Sequence, residues 1–150
     1  MKVSRSVSVG VPPDRAFAAF TEEIGRWWPL ADGYGFAGDR WGDMVIEGRE
    51  GGRVYERARD GEVFHIGSVR VYEPPWRIVF TWGEATEEWA APTEVEVRFT
   101  EEAGGTRVAL EHRAFEAIGP QGQETAKEYE RGWAFVLERF AGHAGREEAS

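Results

Sequence analysis

Apolar residues recur at every second position through most of this chain and at helical spacing in two stretches, and that division predicts its elements. Val3, Val7 and Val9, separated by Ser and Arg, make an alternating opening strand. Pro12-Pro13-Asp14 starts a helix, since proline is tolerated in a first turn, and Ala16, Phe17, Ala19 and Phe20 supply its apolar face. Thr21 to Trp28 predict a second short helix, which Pro29 stops. The glycine-rich stretch from Asp32 to Asp43 reads as a loop, although Tyr34, Phe36 and Trp41 make it too apolar to be wholly solvated.

From Met44 the period is that of strands. Met44–Glu47, Arg53–Ala58, Glu62–Tyr72, Trp76–Trp82, Thr93–Thr100 and Thr106–Phe115 are separated by glycine, proline and acidic turns, of which Asp60-Gly61 is a strong hairpin signal. Side chains alternate along a strand, so Val95, Val97 and Phe99 share one face, as do Val108, Leu110 and His112. Around Gly67 the parity is open: either Phe64 and Ile66 or His65 and Val69 form the inward set.

A last helix is predicted from about Gln121 to Ala141, with Tyr129, Trp133, Val136, Leu137 and Phe140 on one face and charged residues on the other. Gly132 inside it costs about 1 kcal/mol relative to alanine, which a close approach to the sheet would explain. Residues 1–142 read as a single domain and residues 143–150 as a solvated tail. The order is β-α-α-β6-α, an α+β fold. A meander that long should curl, and the final helix is the element able to fill its concave face.

Composition narrows the function classes. The chain has 150 residues, no cysteine, three histidines and a formal net charge of −9. Thiol chemistry and cysteine-ligated metals are excluded, and the acidity disfavours nucleic-acid binding. The histidines lack HExxH spacing, so no metal site is expected, and no cofactor site is read. No apolar run reaches the roughly 18 residues of a membrane span, so a cytoplasmic protein, monomer or homodimer, is the simplest expectation. The strongest signal is aromatic: seven Trp, nine Phe and four Tyr. Such rings build cores and also line cavities for flat apolar ligands.

Several stretches carry a resemblance: Val11-Pro12-Pro13-Asp14-Arg15-Ala16-Phe17, Trp27-Trp28-Pro29, Gly51-Gly52, Tyr72-Glu73-Pro74-Pro75-Trp76-Arg77-Ile78-Val79-Phe80-Thr81-Trp82, and Gly132-Trp133 with Leu137. With them the chain resembles the START-type helix-grip (SRPBCC) superfamily, and within it the bacterial proteins similar to the C-terminal domain of the heat-shock-protein-90 ATPase activator. The resemblance implies a curved antiparallel sheet wrapped around a long C-terminal helix. It implies function poorly, since the superfamily includes lipid carriers, cyclases and hydroxylase subunits.

Three functions follow as expectations. The first is binding of a small hydrophobic ligand, aromatic or acyl, between sheet and helix by Trp28, Trp41, Tyr55, His65, Trp82, Phe99, His112, Tyr129 and Trp133, with no assigned catalysis. The second is a protein-interaction module with a chaperone or other protein partner. The third is a cyclase- or hydrolase-like enzyme using His65 or His112 as a proton-transfer group. Against all three stands the plain reading that the rings simply interlock in a packed core. Glu84, Glu87 and Glu88 lie in a connection that could close over a cavity mouth, and they read equally as a solvated loop. No nucleophile–base pair and no phosphate loop is present, since Gly48-Arg49-Glu50-Gly51-Gly52 lacks the required lysine and hydroxyl.

Overall fold

The computed structural model describes residues 2–145. Along the chain lie β1 (Lys2–Val9), α1 (Pro13–Thr21), α2 (Ile24–Trp27), β2 (Asp43–Ile46), β3 (Arg53–Arg57), β4 (Val63–Glu73), β5 (Arg77–Trp82), β6 (Thr93–Glu102), β7 (Gly105–Arg113) and α3 (Gly122–Ala144). Short 3-10 turns occupy Leu30–Asp32, Gly38–Arg40 and Phe115–Ile118. The predicted α+β order is therefore observed. The seven strands form one antiparallel sheet in the order β1-β7-β6-β5-β4-β3-β2, so the segment carrying α1 and α2 crosses from one sheet edge to the other.

Alternation decides the faces of the central strands. Val95, Val97 and Phe99 on β6, and Val108, Leu110 and His112 on β7, all point into the core and are buried. The opposite face carries charge, which arginines neutralise: Glu96 is bridged by Arg77 at 2.5 Å, Arg113 at 2.6 Å and Arg98 at 2.9 Å. Burial pushes the Glu96 carboxyl up, but the hydrogen bonds from Arg113 and Arg77 outweigh it and hold the group below its ordinary range.

The parity question around Gly67 is answered by irregular pairing. The register shifts between Val54 and Tyr55 where β3 meets β4, and again between Val69 and Val71 where β4 meets β5. A side chain at residue 67 would put Cβ 1.8 Å from the Thr81 carbonyl oxygen, so only glycine lets the strands approach so closely there. The slip turns both Ile66 and Val69 inward, one from each alternative, and His65 outward. Such bulges also increase local twist, which suits a sheet that must wrap a helix.

α3 spans 23 residues, about 34 Å at the α-helical rise. Phe140 packs at 5.3 Å from Phe20 and 5.1 Å from Trp27, while Phe99 closes on Phe17 at 5.1 Å. These edge-on contacts make one continuous aromatic core beneath α1 and α2. The helix continues beyond the expected Ala141, because Ala144 is itself buried and Gly145 caps the end in the left-handed conformation, φ 109°. The Gly145 carbonyl accepts the Gly10 N–H at 2.7 Å, tying this end to the start of α1. His143, expected in the tail, is thus helical and sits 2.6 Å from Glu23. The rest of that tail, residues 146–150, lies outside the described residues. No helix among the described residues is long and apolar enough to cross a membrane.

Candidate functional site

Helical spacing brings Tyr129, Trp133 and Val136 to one face of α3, with Gly132 beside them. The last residue of β5, Trp82, and the residue that follows α2, Trp28, complete the aromatic wall beside that face. The segment Gly33-Tyr34-Gly35-Phe36 forms the remaining wall. Together they enclose a cleft of about 300 Å³, with Glu128 at its edge.

The three indoles form a triangle of rings, with centroids 5.6 Å apart for Trp28 and Trp82, 5.7 Å for Trp28 and Trp133, and 6.1 Å for Trp82 and Trp133. Each indole N–H is already bound inside the protein. Trp28 donates to the Tyr34 carbonyl at 2.7 Å, Trp82 to the Tyr129 hydroxyl at 3.0 Å, and Trp133 to His112 Nδ1 at 2.9 Å. Those bonds lock the ring planes, so the cleft is offered faces and edges of carbon rather than free donors. Burial raises the Tyr129 phenol above its ordinary range, with the Trp82 bond opposing it.

His112 lies behind Trp133 and is fully buried. Its Nε2 is 2.6 Å from Thr93 Oγ1, and Thr93 donates in turn to the Trp82 carbonyl at 3.0 Å. Burial lowers its pKa to about 3. Both ring nitrogens are engaged, and the ring takes no part in lining the cleft.

Of the nine candidate residues, the structure brings Trp28, Trp82, Tyr129 and Trp133 together at the cleft, with His112 as their support. The other four lie elsewhere. Phe99 is in the aromatic core between Phe17 and Phe20. Tyr55 is on the outer face of β3, its ring flanked by the Arg53 and Arg57 guanidinium groups at 4.8 and 5.4 Å. Cation contacts of this kind bury a tyrosine without placing it in the interior.

His65 is also on the outer face, 2.5 Å from Glu84. Burial pulls the Glu84 carboxyl up, but hydrogen bonds from Thr81, His65 and Ser68 prevail and hold it below its ordinary range. Glu84 therefore pins its loop to the sheet instead of facing the cleft. Trp41 follows the second 3-10 turn and is 40 % exposed, away from the cleft walls. Neither candidate histidine is placed to serve a substrate in the cleft, and no group of metal-ligating side chains forms among the described residues.

Tyr34, Phe36, Val136 and Gly132 line the cleft without having been singled out as site residues. The signal for the first two was their apolar character within a glycine-rich loop. Gly132 does not mark a close helix–sheet contact. A Cβ there would meet only the Tyr34 ring, at 3.6 Å, across the cleft. Glu56 is the other residue missed: it is completely buried on the inner face of β3, directly behind Gly35.

Comparison with known proteins fits this geometry. The model of the family described as activator of Hsp90 ATPase homolog 1-like protein matches residues 10–145. A search of curated proteins finds no match. Among solved structures, protein MLL2253 from Mesorhizobium loti superposes with a TM-score of 0.71 at 19 % identity, covering 95 % of both chains. The AHSA1-like protein from Aeromonas hydrophila gives 0.65 at 22 % identity, covering 100 % of this chain and 99 % of that one. DynU16, a protein in the dynemicin biosynthetic locus, gives 0.67 at 22 % identity, covering 97 % of this chain and 49 % of that one. These similarities show a shared helix-grip fold, and the family match over residues 10–145 shows that the chain belongs to the activator of Hsp90 ATPase homolog 1-like family.

Proposed function

We propose that this protein binds a small hydrophobic ligand, aromatic or acyl, in the cleft between α3 and the curved sheet. The observation that carries the reading is the triangle of Trp28, Trp82 and Trp133, whose N–H groups are all satisfied internally while their carbon surfaces wall a space of about 300 Å³. That volume is at the lower end of the range for small-molecule sites, so it suits a fused ring pair or a short acyl chain. Tyr129, which accepts the Trp82 N–H, keeps its own hydroxyl proton as a donor for a ligand. The fold likeness to DynU16, from a biosynthetic locus, supports a role toward a small molecule.

Catalysis is not part of the reading, because His112 is sealed behind Trp133 and His65 faces away. The test is native mass spectrometry of the full chain, gently purified, followed by titration with naphthalene while tryptophan fluorescence is recorded. A retained small molecule, or saturable one-to-one quenching that Val136→Trp abolishes by filling the cleft, is the expected result. A bare protein mass together with no response to naphthalene would overturn it.

A further inference from the structure

Among the described residues no other carboxyl is placed as Glu56 is. On the inner face of β3 it stands across from Met44 on β2 and Phe64 on β4, and its exposure is 0 %. Its Oε1 accepts the Phe36 N–H at 2.6 Å. Its Oε2 is buried with no protein donor. Glu96, the other deeply buried glutamate, is surrounded by three arginines, whereas no cation pairs with Glu56 among the described residues. An acceptor left without a donor in an apolar setting destabilises the fold, and a leucine there would carry no such cost. For folding alone the residue is a liability.

Its neighbours place it at the cleft. Gly35 and Phe36 form part of the cleft wall, and a Cβ built on Gly35 would fall 2.7 and 2.9 Å from the two carboxylate oxygens of Glu56. The backbone of Gly35, with Leu30 packed beside it, stands between the carboxyl group and the cleft. The covering segment is tied at its start by the Gly33 and Tyr34 N–H groups, which donate to the Leu30 and Pro29 carbonyls, and by the Trp28 bond to the Tyr34 carbonyl, while at Phe36 its backbone bond is the N–H on Glu56 itself. The Tyr34 ring stacks on Phe135 at 5.1 Å, whereas the Phe36 ring is 48 % exposed and meets Phe64 at 6.4 Å, so Phe36 is the part of the wall that can shift without leaving a core.

We infer that Glu56 is the polar anchor of the cleft: the ligand carries a hydroxyl or amine donor on its apolar body, and that donor occupies the open carboxylate oxygen when Gly35 and Phe36 move aside. The inference rests on the ligand-binding reading above and adds a chemical class to it. Plain hydrocarbons satisfy the tryptophan walls alone, and a carboxylate-bearing ligand would set two acceptors against each other.

The test uses the full chain and a matched ring series: naphthalene, 2-naphthol, 2-(aminomethyl)naphthalene and 2-naphthoate. Naphthol and the amine are expected to bind about tenfold or more tightly than naphthalene, and naphthoate more weakly, because tenfold is about 1.4 kcal/mol, within the range for satisfying a buried oxygen that has no donor. Glu56→Gln should bring the amine down to the affinity of naphthalene and leave naphthalene itself unchanged. In wild-type protein labelled with ¹³C-glutamate, the Glu56 carboxyl resonance should move with naphthol and the amine but not with naphthalene, a readout that survives if the variant fails to fold. Equal affinities across the series, a preference retained in Glu56→Gln, or an unmoved Glu56 resonance in the amine complex would overturn the anchor while leaving the cleft intact. Absence of binding by all four probes would remove the ligand-binding reading itself, and the anchor with it.

Discussion

The indole N–H of Trp133 donates to Nδ1 of His112 across 2.9 Å, and this one bond fixes the chemistry of the histidine. Tryptophan can only donate, so Nδ1 must be the unprotonated nitrogen. The proton of the neutral ring is then on Nε2 and is donated to Thr93 Oγ1, whose own proton goes to the Trp82 carbonyl. The relay ties α3 to β7, β6 and β5 and leaves the ring no free lone pair for catalysis. Its function is to orient Trp133 and Trp82 at the cleft.

This relay predicts an acid-sensitive fold. The folded pKa of His112 is lowered by burial to about 3, against an ordinary value of 6.5. As pH falls, the unfolded chain takes up this proton first, so the contribution is complete above 6.5 and is lost progressively toward 3. The slope for one proton reaches about 1.4 kcal/mol per pH unit. Urea unfolding between pH 7.5 and 5 should show wild type losing stability more steeply than His112→Gln, which keeps an acceptor for Trp133 and a donor for Thr93. Parallel slopes would show that protonation of His112 does not oppose folding.

Two substitutions at Trp133 separate its ring from its donor. Trp133→Phe keeps a buried aromatic but strands His112 Nδ1, and should cost about 1–3 kcal/mol. Trp133→Ala also removes a buried ring that touches Trp28 and Trp82 and should cost about 3–5 kcal/mol. Denaturant unfolding at pH 7.5 distinguishes the two. Loss in the Phe variant of less than about 0.5 kcal/mol would mean the bond to His112 adds little beyond packing.

At the far end of α3 a different histidine is held by a carboxyl group. Arg15 reaches Glu23 at 2.6 Å, and His143 reaches the other carboxyl oxygen at 2.6 Å. The hydrogen bond from Arg15, and then that from His143, lowers the Glu23 pKa from 4.5 to about 2. A depressed carboxyl stabilises above its unfolded value, so this contribution is present above about 4.5 and lost as pH falls toward 2. The group lies near the surface, so Glu23→Gln should change global stability by no more than about 1 kcal/mol. Amide exchange in the last turn of α3 should nevertheless accelerate at pH 7, and the difference from wild type should shrink at pH 3. Unchanged exchange there would show that the packing of Phe140, Ala141 and Ala144 and the Gly10–Gly145 bond hold the helix end without the Glu23 contact.

Regular periodicity explains what could be read from the sequence and local exceptions explain what could not. Alternation put Val95, Val97 and Phe99 on one face, and helical spacing put Tyr129, Trp133 and Val136 on another, as the structure has them. The tryptophans of the cleft were legible because they end or interrupt apolar faces. β3 was misread because Arg53-Val54-Tyr55-Glu56-Arg57 offers two alternations, and a glutamate is seldom the inward member. In fact Val54 and Glu56 turn inward while Tyr55 is sheltered by its arginines. His65 was ambiguous because the pairing slips beside Gly67, and a bulge leaves no mark in a period-two pattern. Tyr34 and Phe36 belong to a loop, where no periodicity assigns a direction.

Gly132 offers the clearest separation of stability from binding. It sits inside α3, where glycine is less favourable than alanine by about 0.8–1.0 kcal/mol because its backbone loses more freedom on folding. Nothing in the core demands the missing side chain, since a Cβ would find only Tyr34 at 3.6 Å, an ordinary contact distance. Gly132→Ala should therefore be stabilising by somewhat under about 1 kcal/mol, raising Tm by roughly 2–4 °C for a domain of this size. The added methyl projects between α3 and the 33–36 wall, so naphthalene affinity should fall in the same variant, and Gly132→Leu should fill the cleft and abolish binding while the fold persists. A more stable protein that binds less well is the pattern expected of a residue kept small for a ligand. If both variants bind as wild type does, the space beside Trp133 is not where the ligand sits; if Gly132→Ala is destabilised, the helix and the 33–36 segment are closer in solution than an ordinary van der Waals contact.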